Sequence, residues 1–171
     1  MRRLGLLVFA AATVTALSIA VAPSASAAPG GTTTVTTASG MTLSATPVRR
    51  LPATATITVK GKGYRPTVGF YVALCVMPAK GAQPTTCGGG VNTTGRNPAS
   101  AWISSNPPPY GATMARPFGR NGTFRVRLTV SPILGDGIDC RTTACAILTR
   151  ADHTRPGDRR SDVAVPVSFA R

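Results

Sequence analysis

From Met41 onward the chain alternates short apolar and polar runs, and Gly or Pro repeatedly cuts them short. That period-two punctuation constrains the fold more than any other feature. An amphipathic helix needs an uninterrupted 3.6-residue stripe over ten or more positions, whereas a strand needs only four to eight alternating residues between turn signals. With 18 Gly and 15 Pro in 171 residues, no convincing helical stripe survives.

The alternation predicts about seven strands. Met41 to Ala45 starts the first, and Thr54 to Lys60 follows with Ile57 and Val59 on one face, before a turn expected at Gly61-Lys62-Gly63. Val68 to Met77 is apolar on both faces, with Phe70, Val72, Leu74 and Val76 on one side and Tyr71, Ala73, Cys75 and Met77 on the other. Such a strand belongs in the middle of a sheet. A weaker strand lies near Trp102 to Ser104. After the Asn121-Gly122 turn, Thr123 to Val130 alternates cleanly, which puts Arg125 and Arg127 on a solvent-facing ladder. Ala144 to Arg150 and Val163 to Phe169 complete the set, and Pro166 sends the last strand to an edge or a bulge because it cannot donate to a ladder. The expected fold is all-β: a seven-stranded, immunoglobulin-like antiparallel sandwich.

The residues before this region read differently. Arg2 and Arg3 precede an apolar run from Leu4 to Ala22, then Ala25-Ser26-Ala27, the small-residue site of a cleavable export signal. Cleavage is predicted before Ala28; the alternative is an uncleaved anchor. Residues 28–40, small and hydroxylated, are expected to form a flexible arm. The remainder, 41–171, is one domain of ordinary size, expected to be secreted as a monomer and free of the membrane once the signal is gone.

Export explains the cysteines. Four in a secreted chain imply two disulfides; three pairings are possible, and the spacing favours Cys75 with Cys87 and Cys140 with Cys145 because each closes a short local loop. On a chain-entropy model these contribute about 3 and about 2 kcal/mol. Zinc binding has poor support, since the lone His153 is distant in sequence from both cysteine pairs.

The charge balance points outward. All five acidic residues are Asp, and with Arg2 and Arg3 removed the +14 of the whole chain becomes +12. An arginine-dominated excess favours phosphate- or carboxylate-bearing polymers, DNA among them, or serves solubility alone. Catalysis is poorly supplied. Asp152 and His153 next to Thr154 suggest a hydrolase triad, but adjacent residues point apart and no nucleophile elbow is present. No catalytic residue, cofactor or metal is expected. The Asp152 to Asp162 segment reads as a solvated hairpin loop.

One stretch resists the short-turn pattern. Residues 88–119 carry a triple glycine, Pro107-Pro108-Pro109 and the only tryptophan. Long connections of this kind are usually functional, and stiff polyproline favours an ordered flap anchored by Trp102 and Tyr110.

The segment Asp139-Cys140-Arg141-Thr142-Thr143-Ala144-Cys145, an apolar strand, an Asp/Gly/Arg-rich loop and a final Val-rich strand together resemble the C-terminal half of the neocarzinostatin family. The Gly61 to Tyr64 turn, Cys75, Cys87 and the Asn121-Gly122 turn fall in the family's order, so the resemblance covers most of 41–169. It implies a sandwich that carries an enediyne chromophore in a cleft, associated with DNA through that ligand and acting as an antibiotic. The cleft floor would be the Cys75–Cys87 bridge with Ala73 and Met77, and the far side Ala146, Leu148 and Arg150. Met77 and Arg150 depart from the relatives, which have a large aromatic and a small polar residue there. The hairpin at 131–137 is shortened, 88–119 is extra, and the basic charge contrasts with acidic relatives.

Two functional expectations follow. One is a secreted carrier whose cleft takes an apolar or aromatic small molecule under the Trp102 and Tyr110 flap, with Arg150 pairing an anionic substituent. The other is a surface module, associated with the cell exterior, that holds anionic polymer through Arg125, Arg127, Arg155, Arg159 and Arg160.

Overall fold

The computed structural model describes residues 29–89 and 98–171. The export segment and its cleavage site lie outside the described residues. Among the described residues, eight strands form two four-stranded antiparallel sheets: β1 (Thr33–Thr36), β2 (Thr42–Thr46), β3 (Ala55–Lys62), β4 (Phe70–Val76), β5 (Ser100–Ile103), β6 (Phe124–Val130), β7 (Cys145–Ala151) and β8 (Val163–Val167). Sheet I has the order β1-β2-β3-β6 and sheet II the order β5-β4-β7-β8. No helix of the described residues is long and apolar enough to cross a membrane.

The core lies between the inner faces, as the alternation dictates. Leu43, Ile57, Val59, Val126 and Leu128 from sheet I meet Phe70, Val72, Leu74, Ile147 and Val165 from sheet II, all at 2% exposure or less. β4 sits inside its sheet, flanked by β5 and β7. β8 is an edge strand, so Pro166 faces outward with no ladder bond to lose.

Two boundaries differ from expectation. Thr33–Thr36 is not a flexible arm: it pairs with β2 in full register, Thr33 opposite Ala45 and Thr36 opposite Thr42. Threonine's branched side chain suits a pleated surface, and Val35 packs against the core, which supplies the burial the composition seemed to lack. This strand raises the count from seven to eight. The second difference is at Gly61-Lys62-Gly63. The ladder runs through Lys62, and Gly63, at φ +78°, makes the turn. Gly61 lies opposite Phe124, and a Cβ there would sit 2.0 Å from the ring. The glycine is a seat for an aromatic side chain, not a bend.

The Asn121-Gly122 turn is present, with φ of 55° and 63° at its two residues. Both disulfides join as the spacing favours, Cys75 to Cys87 and Cys140 to Cys145.

Candidate functional site

The outward side chains of sheet II form cross-strand rows. Trp102, Tyr71 and Arg150 share one; Ser100, Ala73, Leu148 and Ala164 the next; Cys75, Ala146 and Pro166 a third. Outward residues of a sandwich are ordinarily wet, yet Ala73, Cys75, Ala146 and Leu148 are no more than 4% exposed. Ala73, Cys75 and Leu148 form an apolar cluster separate from the main core, with Cys87 and Ala164 packed on it.

The cover comes from the loop that the first disulfide closes. Val76 N donates to Thr86 O at 3.0 Å and Gly88 N to Leu74 O at 2.7 Å, so the returning chain pairs with the edge of β4 beside Cys87. Met77 N donates to Ala144 O at 2.9 Å on the other side. Between these anchors the loop folds back over the sheet, where Arg150 Nη1 donates to the carbonyl of the buried Pro84 at 3.0 Å. The guanidinium expected to meet a ligand anion instead holds the loop.

What remains of the cleft is a cavity of about 250 Å³ between the loop and strands β7 and β8. Met77, Pro78 and Ala82 form one wall, and Leu148, Val163 and Ala164 the other. One end is polar. Arg159 Nη1 pairs with Asp162 Oδ2 at 2.7 Å, and both side chains line the cavity. Burial pushes the Asp162 carboxyl up from 3.8 to about 6, against the opposing pull of Arg159. The ion pair gives this end a polar surface beside the apolar walls.

Of the cleft residues expected from sequence, Met77 and Leu148 line this cavity. Ala73, Cys75 and Cys87 lie beside it in the apolar cluster, and Ala146 sits opposite Cys75 in the ladder. Trp102 and Tyr110 are elsewhere. Trp102 is in β5, and its indole belongs to an aromatic group with Tyr71, Tyr110 and His153. Tyr71 OH meets His153 Nδ1 at 2.5 Å, and Tyr110 OH contacts Nε2 of the same ring. Burial, with the Asp152 charge adding to it, pushes the Tyr71 phenol up to about 12. The described residues of the long stretch thus join the sheet as strand β5 and form a 3-10 turn at Pro109–Gly111, and none of them lines the cavity.

The Asp152-His153-Thr154 sequence assembles no triad. Asp152 Oδ1 accepts from Thr154 N at 3.0 Å and Thr154 Oγ1 at 2.6 Å, and Oδ2 accepts from Trp102. The imidazole bonds the two phenols instead.

The arginines expected to hold anionic polymer are divided. Arg125 and Arg127 stand exposed on the outer face of sheet I. Arg159 is paired with Asp162 and Arg160 with Asp158 in the β7–β8 connection, which leaves Arg155 there as a separate exposed cation.

Sequence reasoning missed the loop wall and the Arg159–Asp162 end. A signal for the first was present: a disulfide across residues 75 and 87, with Pro78 and Pro84 between, confines a short, stiffened loop to the face its own bridge lies on.

No family model matches the chain. Among curated proteins, thiamine biosynthesis protein X of Corynebacterium glutamicum is 36% identical over 116 residues, which make up 67% of this chain and 55% of that protein. The chain therefore spans about half the length of that curated relative. Among solved structures, macromomycin, of the neocarzinostatin family, is similar with a TM-score of 0.49 and 18% identity, over 77% of this chain and 100% of that one.

Proposed function

We propose that the protein is an exported, non-catalytic binding protein that carries a compact apolar or aromatic molecule in the cavity between the disulfide-closed loop and strands β7 and β8. The observation that carries this reading is the cavity's division into apolar walls and one end lined by the Arg159–Asp162 ion pair. Small-molecule sites have this character: mostly apolar lining with a few polar groups that fix orientation. At about 250 Å³ the space is slightly below the usual range for drug-sized ligands, so a bulky chromophore needs the loop displaced. A one- or two-ring ligand fits the reading better.

The test combines native mass spectrometry of the natively purified chain with titration of defined probes. An anilinonaphthalene sulfonate serves as a general aromatic probe. Thiamine is a second, chosen because the 36%-identical relative is named for its biosynthesis. The expected result is a retained mass or saturable one-site probe binding in the wild type that Ala164→Trp abolishes. Ala164 is half-buried on the outer face of an edge strand, so an indole there fills the cavity without entering the main core. No bound mass and no saturable binding in the wild type overturns the reading.

A further inference from the structure

The opposite outer face, that of sheet I, has a composition that folding alone does not explain. Its four cations are Lys60 and Lys62 on β3 and Arg125 and Arg127 on β6, all exposed. The remaining outward positions of the four strands are hydroxylated: one row runs Thr34, Ser44, Lys60, Arg125, and the next brings Thr46 and Thr58 to Arg127. None of the five Asp lies on these strands. The ion pairs found among the described residues are all elsewhere.

Lys60 stands directly opposite Arg125 in the ladder. Like charges in that position repel and destabilise a sheet. Lysine on an edge strand is a common guard against strand addition, but β3 is flanked by β2 and β6 and has no edge to guard. Charges on the edge strand β6 can serve as that guard, which accounts for Arg125 and Arg127, but Lys60 adds a repulsion from the interior strand with no acid to relieve it. An external anion would relieve it.

We infer that this face binds a linear anionic polysaccharide bearing carboxylate or sulfate groups. Charge complementarity selects an anion. The arrangement selects a polymer: along β3 the register runs from Arg127 opposite Thr58, through Arg125 opposite Lys60, to Lys62, so the four cations extend over about 13 Å, further than one small anion spans. Arginine adds bidentate geometry suited to carboxylate and sulfate. The flanking Thr and Ser hydroxyls both donate and accept, which matches sugar hydroxyls. No aromatic residue points outward from these strands, so the stacking platform that holds single-stranded nucleic acid is missing, and a four-stranded sheet is wider than the two-stranded ribbon that a major groove of about 12 Å admits. The site lies on the other sheet from the small-molecule cavity, and the two stand or fall separately.

The experiment measures binding of the full exported chain to heparin and to polygalacturonate across a salt series, with oligothymidylate and duplex DNA as competitors. Two double variants are compared: K60Q/R125Q, and K80Q/R155Q as a charge-matched change elsewhere. The expected result is wild-type binding that weakens steeply with salt, a loss of about tenfold or more in K60Q/R125Q, and a loss of under about twofold in K80Q/R155Q. K60Q/R125Q should also keep or raise the thermal midpoint, because it removes the repulsive pair; a clear fall overturns the account of that pair as unrelieved repulsion. Equal losses in the two variants reduce the effect to net charge and overturn the site. Absence of polysaccharide binding at low salt, or tighter binding of either nucleic acid at equal salt, also overturns it.

Discussion

The Nε1 of Trp102 donates to Oδ2 of Asp152 at 2.9 Å, and this bond joins β5 to the end of β7 across the outer edge of sheet II. Both partners are buried, at 5% and 2% exposure. Gly69 makes room for the carboxylate, since a Cβ there would fall 2.0 Å from Oδ2. Trp102→Phe keeps an aromatic ring, though a smaller one, and removes the donor, leaving Oδ2 short of a partner. The expected cost is about 1–3 kcal/mol, measured by chemical denaturation. Because Trp102 does not line the cavity, the wild type's tryptophan emission should change little when a small ligand saturates it.

The 3-10 turn at Pro109–Gly111 is fitted to the same indole. A Cβ at Gly111 would lie 2.5 Å from Cη2 and Cζ3 of Trp102, and Gly111 itself is buried. Gly111→Ala must therefore push the turn, with Tyr110, away from the aromatic group. The expected cost is about 1–3 kcal/mol, the usual range for overpacking a filled site. A shift of Trp102 emission towards the wet value, together with faster amide exchange at 109–112, checks that the turn has moved.

These contacts mark where the sequence stopped being readable. Strand phases are local, so Ile57, Phe70, Val126 and Ile147 declare their inward faces through period two alone, and both disulfides follow from short spacing. β1 escaped because its threonines lack bulk; only its pairing with β2 and the packing of Val35 reveal its place. The cavity escaped for a different reason. Its walls come from residues near 78, 148 and 163, and no local pattern states that Arg150 will hold Pro84 and fold the loop over the sheet. Trp102 and Tyr110 were legible as anchors, but what they anchor to, Asp152 and His153, is set by tertiary placement.

The Cys75–Cys87 bridge should matter to the cavity more than to the core. It closes a loop across a sequence separation of 12, and a chain-entropy treatment assigns about 3 kcal/mol to such a closure. Replacing both cysteines with serine is expected to lower stability by about that amount while the sandwich still folds. It should weaken probe binding in the cavity by at least about tenfold, because the wall formed by Met77 to Pro84 is then held by hydrogen bonds alone, those of Val76 with Thr86, Gly88 with Leu74, Met77 with Ala144 and Arg150 with Pro84. Denaturation curves and probe titration on the same preparation separate the two effects. The corresponding change at Cys140 and Cys145, which closes a separation of only 5 and lines no part of the cavity, should leave probe binding intact.

Asp162 gives the protein a pH dependence of unusual sign. Most carboxylates in folded chains are held low, and Asp158 follows that rule: hydrogen bonds from Arg160 keep it below the ordinary value, so its contribution is present above that value and fades in acid. Asp162 is the reverse. Burial raises it from 3.8 to about 6, so between those values the folded chain holds a proton that the unfolded chain has lost. Its contribution is greatest in acid, below the unfolded value, and declines as pH rises from about 4 through about 6. Asp162→Asn removes that decline. The stability of the variant relative to the wild type should therefore rise steadily across this window and become constant above about pH 7, as read from denaturation curves at closely spaced pH values. A difference that stays flat from pH 4 to 7 would show that the carboxylate is solvated in the folded chain.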